Sequence, residues 1–416
     1  MSLTSTANNN PKEPNPSYLN ASKLLLKNPN PFNKFLQVTC AAVLRVFNDK
    51  NTPTKDLTTN ICKLFKQIYN EYSQKFTDPY ALSKALKDND FSILTVSLIP
   101  TKLVRNILEL LPNELANKIF NILADNLLEG VIAWRNKKWG NVTYLFALVA
   151  KPDSLLKLGK LLIEKACEQA NNKDKQILAS AVLGRGYGLQ LLLSSGFFPV
   201  GLSFNLTPEL YNEGRQTVVQ LVSDSYNTRP EIYIPDDQPL RDIIEKIANN
   251  LSIQLSFSPK QNGQIFAVKS PTDKLPDTNL TDLLKNEEKE FGISELVIPS
   301  NCSEDDLNNL LKEIDQLLDN GTLQHISLIV EAFKPEGERI INQLLQKGFL
   351  FERLIPTKEG IYIGMQKIQN LNNLTNQALP NLNNANDDLN NLISAYAEYF
   401  DSLQSENLTS PAVACT

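Results

Sequence analysis

Two phrases in this chain match each other. One is a strand, a helix and then Gly196-Phe197-Phe198-Pro199-Val200-Gly201; the other is a strand, a helix and then Gly348-Phe349-Leu350-Phe351-Glu352-Arg353. Each reads as an apolar strand, an amphipathic helix closed by glycine, and a new strand opening on aromatics. Glycine suits the place just past a helix because it takes the left-handed conformation with no Cβ penalty. Two such units predict two related α/β halves, and that constrains the fold more than any overall property of the chain.

Periodicity divides the remainder. Residues 1–30 are rich in Asn, Pro and Ser and read as a disordered or extended N-terminus. Residues 31–128 read as a helical region. Phe32, Phe35, Leu36, Ala42, Val43 and Val46 recur at helical spacing, and Leu57, Ile61, Leu64 and Ile68 do so again. Two further helices follow, hinged at Pro112, while 91–99 reads as either a strand or a buried linker. At Gly130 the pattern changes. Strands are expected at 131–134 and 142–150, a helix at 155–170, a strand at 177–183, a short helix ending at Gly196, and an antiparallel pair at 198–204 and 216–222. Beyond a short strand at 232–235 and a helix at 240–251, the second half brings strands at 253–257, 265–268 and 296–298. Ser303 caps a helix with Asp306 at its third position and Gly321 past its end. A strand at 326–333, a helix at 336–347 and strands at 349–356 and 361–368 complete that half. Residues 369–416 form an Asn-rich tail with one helix, 388–403.

Composition excludes several function classes. The formal net charge is −5 over 416 residues, so no global field draws nucleic acid or an anionic membrane. Lys102, Arg105 and Lys118 in the helical region are too sparse for a nucleic-acid interface. No apolar run approaches the ~18 residues of a membrane span. The five cysteines are scattered without a CxxC spacing and read as reduced thiols in a protein of the cytoplasm. The one histidine, His325, rules out a multi-histidine metal site within the chain and opens an apolar run, which points to a structural role at a strand edge.

The order of these phrases resembles the GNAT (acyl-CoA N-acyltransferase) superfamily, and more narrowly a bacterial group in which a GNAT domain is followed by a truncated GNAT-like half. Strand 142–150 stands for the central strand, Lys151-Pro152-Asp153 for the turn after it, and 155–170 for the helix at the CoA pyrophosphate. Residues 181–197 align without a gap on that group's Ala-Val-Thr-x-His-Pro-x-Ser-Gln stretch up to its Gly-Phe. Ile232-Tyr233-Ile234-Pro235, and Gly348-Phe349 through Met365-Gln366, match later segments. The resemblance implies an α/β (α+β) fold with a mixed sheet: a GNAT-like domain over 129–235, a second, smaller half over 236–368, and the helical region 31–128 in front.

It also implies site residues, and here the chain departs from the pattern. The family binds pyrophosphate on a glycine-rich turn at a helix start, where backbone N–H groups and the helix dipole meet the phosphates. The matching stretch, 153–159, is about two residues shorter and keeps only Gly159, with leucines where backbone would meet phosphate. Lys157 and Lys160 could offset Asp153 as point charges. An ordinary amphipathic helix capped by Asp153 or Ser154 is the preferred reading. Many members place a tyrosine five residues before the Phe, to protonate the leaving thiolate; that position is Leu192. The His-Pro-x-Ser-Gln residues become Arg185-Gly186-Tyr187-Gly188-Leu189, leaving Tyr187 as a candidate acid or donor and Arg185 as a candidate anion ligand. Packing for Tyr187, and a plain strand-to-helix turn for 184–188, are the preferred alternatives. Glu129 and Glu231 are candidate bases if buried, and Trp134 and Trp139 flank a basic turn that is either a contact surface or a packed hairpin.

Two functions stay open. The favoured one is a GNAT-fold protein with eroded catalytic motifs that acts by binding an unidentified protein partner. The other is a working acyl-CoA-dependent N-acyltransferase that binds acetyl-CoA or CoA through Lys157, Gly159, Lys160 or Arg185, with Tyr187 in catalysis.

Overall fold

The N-terminal third contributes strands as well as helices. A computed structural model of the protein describes residues 17–19, 40–68, 74–88, 91–137, 139–151, 155–171, 175–183, 186–204, 217–223, 231–257, 295–369 and 386–409. The chain divides into two units, Met1–Asn136 with Thr143–Lys173, and Lys137–Val142 with Asp174–Thr416.

The first unit is an antiparallel sheet in the order β1 (Ser17–Leu19), β2 (Cys40–Phe47), β3 (Ser92–Pro100), β4 (Leu128–Asn136) and β5 (Val142–Ala150). Ser17–Leu19, inside the stretch read as disordered or extended, pairs with β2. Ala42, Val43 and Val46, read at helical spacing, lie in a strand. Val43, Leu44 and Arg45 are buried in succession, as both faces of a covered strand are, and such a run does not show a period of two. The segment 91–99 resolves as β3.

The helices of this unit are α1 (Lys55–Ile68), α2 (Gln74–Thr77), α3 (Pro79–Lys87), α4 (Thr101–Leu110), α5 (Asn113–Asn126) and α6 (Leu155–Asn171); all but α2 and α3 fall where the periodicity put them. Pro112 starts α5 as its N-cap residue. Leu57, Ile61 and Phe65 of α1 share a core with Phe47 of β2 and Ile93 of β3, while Ala116, Phe120 and Ala124 of α5 pack with Val43 and Ile99. Beneath them, Arg45 Nη1 meets Asp125 Oδ1 at 2.6 Å, and Thr54 Oγ1 donates to Asp125 Oδ2 at 2.7 Å. Helix α6 packs on β4 at Gly130, where a Cβ would lie 2.8 Å from Leu162 Cδ1. Strand β5 carries a bulge against β4, with Ala147 at φ 54°.

The second unit holds a mixed sheet in the order β6 (Gln176–Val182), β8 (Val218–Val222), β7 (Phe198–Ser203), β13 (Leu350–Pro356), β14 (Ile361–Ile368), β12 (His325–Glu331) and β11 (Glu295–Ile298). Only β11 and β12 run parallel among these strands. Strands β9 (Glu231–Ile232) and β10 (Ser256–Phe257) form a separate parallel pair. The helices are α7 (Gly186–Ser194), α8 (Gln238–Asn250), α9 (Glu304–Asp319), α10 (Glu336–Gln346) and α11 (Asp387–Thr409). Ser303 caps α9 as expected, its Oγ accepting from Asp306 N at 3.1 Å, and Gly321 follows at φ 72°. The strand expected at 265–268 lies outside the described residues.

Inside this unit one motif occurs twice. Strand β6, helix α7 and the hairpin β7–β8 form a sheet in the order β6-β8-β7; strand β12, helix α10 and the hairpin β13–β14 form the order β12-β14-β13. The two helices end alike. Gly196 (φ 87°) donates to Leu193 O and Phe197 N to Leu192 O; Gly348 (φ 76°) donates to Leu345 O and Phe349 N to Leu344 O. That is one Schellman closure used twice. Each hairpin also bulges at the same place, with Val200 and Glu352 as the extra residues. Gly201 and Arg353 hold the same position in the two phrases and face each other across the antiparallel β7–β13 seam. Matched residues opposite one another in antiparallel strands place a local pseudo-twofold axis through that pair.

Candidate functional site

The residues singled out from the sequence fall on different units. Gly159 and Lys160 lie on α6 in the first, Gly159 buried and Lys160 half-buried; Leu158, Leu162, Ile163 and Ala166 give that helix its buried face. In an α-helix the free N–H groups are those of the first turn, and Gly159 is the fifth residue of α6, so its N–H is directed to Leu155 O. The side chain of Lys157, and Arg185 altogether, lie outside the described residues. Tyr187 opens α7 in the second unit and is 59% exposed, whereas Leu192, on the same helix, is buried with Leu189 and Leu191.

The candidate bases divide. Glu129 accepts a hydrogen bond from Lys151 Nζ at 2.6 Å, and Glu231 is exposed at the start of β9. Trp134 is buried in β4, and the Trp139 ring packs on Tyr362 with centroids 5.1 Å apart. His325 is 2% exposed at the first position of β12, the structural place its sequence context indicated. Cys62 and Cys302 are free thiols; burial, with Asp78 adding to it, pushes the Cys62 thiol up to about 12, so it holds no thiolate near neutral pH. Among the described residues there is no cluster of His, Cys, Asp and Glu that could hold a metal, and no helix long and apolar enough to cross a membrane.

Among the described residues, a buried polar cluster lies elsewhere, at the β7–β13 seam. Glu352, in the bulge of β13, is 0% exposed and accepts hydrogen bonds from the Ser203 and Ser327 hydroxyls. Arg353, 1% exposed, donates through Nη1 to Gln220 Oε1 at 3.0 Å and through Nη2 to Glu295. Lys137 Nζ meets the other oxygen of Glu295 at 2.8 Å. Gln220 continues the chain, donating to Ser203 Oγ at 2.7 Å and accepting from Ser180 Oγ at 2.8 Å. Two cations and two carboxylates thus balance inside the sheet. Burying an unpaired charge is costly, and here each charge has an opposite partner and further hydrogen bonds.

Glycine makes the space. A Cβ on Gly201 would sit 2.0 Å from Glu352 O and 2.5 Å from Arg353 Cβ, and one on Gly364 would sit 2.7 Å from Arg353 Cγ. Sequence reasoning passed over this cluster. The available signal was the charged step Glu352-Arg353 inside the apolar run Phe349 to Ile355.

No family model and no curated protein matches the chain. Solved structures with a similar course include the ribosomal-protein-S18-alanine N-acetyltransferase from Escherichia coli (12% identity, 43% of this chain, 92% of that one, TM-score 0.29). Others are a spermidine N-acetyltransferase chimera from Vibrio cholerae (14%, 44% and 94%, TM-score 0.31) and an acetyltransferase of the GNAT family from Streptococcus pneumoniae (14%, 44% and 98%, TM-score 0.30). Scores this low leave the element order and the residues themselves to carry any functional reading; what the chain establishes is an α/β fold built on mixed sheet.

Proposed function

We propose that this is a GNAT-fold protein in two halves whose acyl-transfer chemistry has eroded, and that it acts as a protein-binding or regulatory module. The GNAT reading is supported by elements falling where the resemblance needs them: β5, α6, β6, α7 and the β7–β8 hairpin occur in that order. The smaller second half is supported by the repeated β-α-hairpin motif with its shared cap and bulge.

One observation carries the loss of chemistry. The thiolate leaving acetyl-CoA needs a proton, and the position matching the family's donor is Leu192, buried on the apolar side of α7. The phosphate chemistry points the same way. Helix α9 follows β11 as α6 follows β5, yet its first turn is Glu304, Asp305 and Asp306, which repels an anion at a helix N-terminus. In α6 the surviving glycine lies past the turn whose N–H groups are free. The described residues therefore fit acetyl-CoA poorly, and no catalytic step is assigned to them.

The second reading, an active N-acyltransferase, draws on Tyr187, whose exposure leaves its phenol open to a ligand. Thermal unfolding with CoA separates the two. A ligand at 100 times its Kd adds about 2.7 kcal/mol of stability. The eroded reading expects no shift with CoA or acetyl-CoA. A shift of that size, with calorimetric heat that Arg185→Ala removes, would show a working cofactor site and favour the second.

A further inference from the structure

The seam between β7 and β13 is not closed like an ordinary ladder. Antiparallel neighbours exchange main-chain N–H and C=O groups directly. Strands β12 and β14 do so over seven paired positions, from His325 opposite Ile368 to Glu331 opposite Tyr362. Among the described residues, β7 and β13 register at the single pair Gly201 and Arg353. One step along, Leu202 stands opposite Glu352, and a side chain takes the place of the direct bond. Leu202 N donates to Tyr396 Oη at 3.1 Å, and Tyr396 Oη donates to Glu352 O. Farther along, Phe351 N donates to Tyr399 Oη at 3.3 Å. Gln366 of β14 completes the stitching, its Nε2 donating to Leu202 O at 2.8 Å and its Oε1 accepting from Phe204 N at 2.9 Å.

Both tyrosines belong to α11. Tyr396 is 0% exposed, and its ring packs with Phe204 of the first repeat (5.8 Å between centroids) and Phe351 of the second (6.1 Å). Leu389, Leu392 and Ala395 bury the rest of that face. Lys246 of α8 forms an ion pair with Glu398 of α11. Burial raises the Tyr396 pKa well above the ordinary phenol value, so the group keeps a proton to donate while its lone pairs accept. One helix therefore touches both repeats at their shared axis and supplies hydrogen bonds that the strands do not make to each other.

We infer that α11 is a clasp. Its docking holds the two repeats of the second unit as one continuous sheet, and its release lets them part at β7–β13 while each keeps its own ladders. The clasp does not depend on whether the chain transfers acyl groups.

Amide hydrogen exchange on the full chain tests it. Tyr396→Phe keeps the ring and removes only the hydroxyl. The clasp requires exchange at Leu202, whose acceptor is lost, to rise about tenfold, the size of one buried hydrogen bond, and exchange at Phe351, still bonded to Tyr399, to rise with it as α11 loosens, while amides in the β12–β14 ladder keep their protection. An equal rise in both places would make α11 an ordinary packing helix, and no rise at Leu202 would show that the strands close without it; either result overturns the inference. Should Tyr396→Phe not yield folded protein, Tyr399→Phe applies the same comparison at Phe351 against the β12–β14 ladder.

Discussion

The two repeats of the second unit share a plan and differ at one step. Both close their helix with a glycine and phenylalanine in the same hydrogen-bond pattern, and both bulge the following strand at the same residue. At the bulge the first repeat has Val200-Gly201 and the second has Glu352-Arg353. The plan comes from residues that shape the backbone. The difference comes from residues that meet across the axis, where a glycine in one repeat accommodates the arginine of the other. Two equal side chains of arginine size could not occupy both sides of that pair, so the repeats must differ where they touch. The charged residues conspicuous in this unit thus have a structural use, joining strands, which the chain's candidate chemical residues on α6 and α7 do not share.

That comparison can be broken at its centre first. Arg353→Leu removes the cation between Glu295 and Glu352, leaving a buried carboxylate short of a partner, and should cost about 3–5 kcal/mol in urea unfolding. A cost under 1 kcal/mol would mean that the network contributes little beyond shape. Next in size, Gly201→Ala forces backbone apart at the axis, since its Cβ would meet Glu352 O at 2.0 Å; about 3 kcal/mol is expected by the same measurement. The smallest effects sharpen the likeness. Gly196 and Gly348 both have positive φ, and a Cβ on either meets nothing within 4 Å. Gly196→Ala and Gly348→Ala should therefore each cost about 1 kcal/mol, from conformation alone, and match each other. Unequal costs would show that the two caps are alike only in appearance.

The repeat was legible in the sequence because its determinants are local. Glycine at a helix end and aromatics opening a strand announce themselves without knowledge of neighbours, and both helices end where the phrases said. Strand β2 was not legible, because Val43, Leu44, Arg45 and Phe47 are buried on both faces and the helical spacing of Phe32, Phe35 and Leu36 runs into them. Strand β1 was missed because three residues in a polar stretch carry no period; their partner β2 defines them. The seam was missed for a related reason. Glu352 and Arg353 read as a polar interruption of a strand until Gly201, Gln220, Ser203 and Ser327 surround them, and those partners lie between 25 and 152 positions away in the chain. At the candidate cofactor site the sequence identified the departures themselves. Leu192 was visible as a leucine where the resembled family places a donor, and the structure buries it on α7.

The proposal of lost chemistry meets its most direct test in the release of free thiol from acetyl-CoA, followed with purified protein and a primary amine in excess. The spontaneous rate, unchanged by the protein, is expected. Protein-dependent release that disappears in Tyr187→Phe would contradict it and make the chain a working acyltransferase.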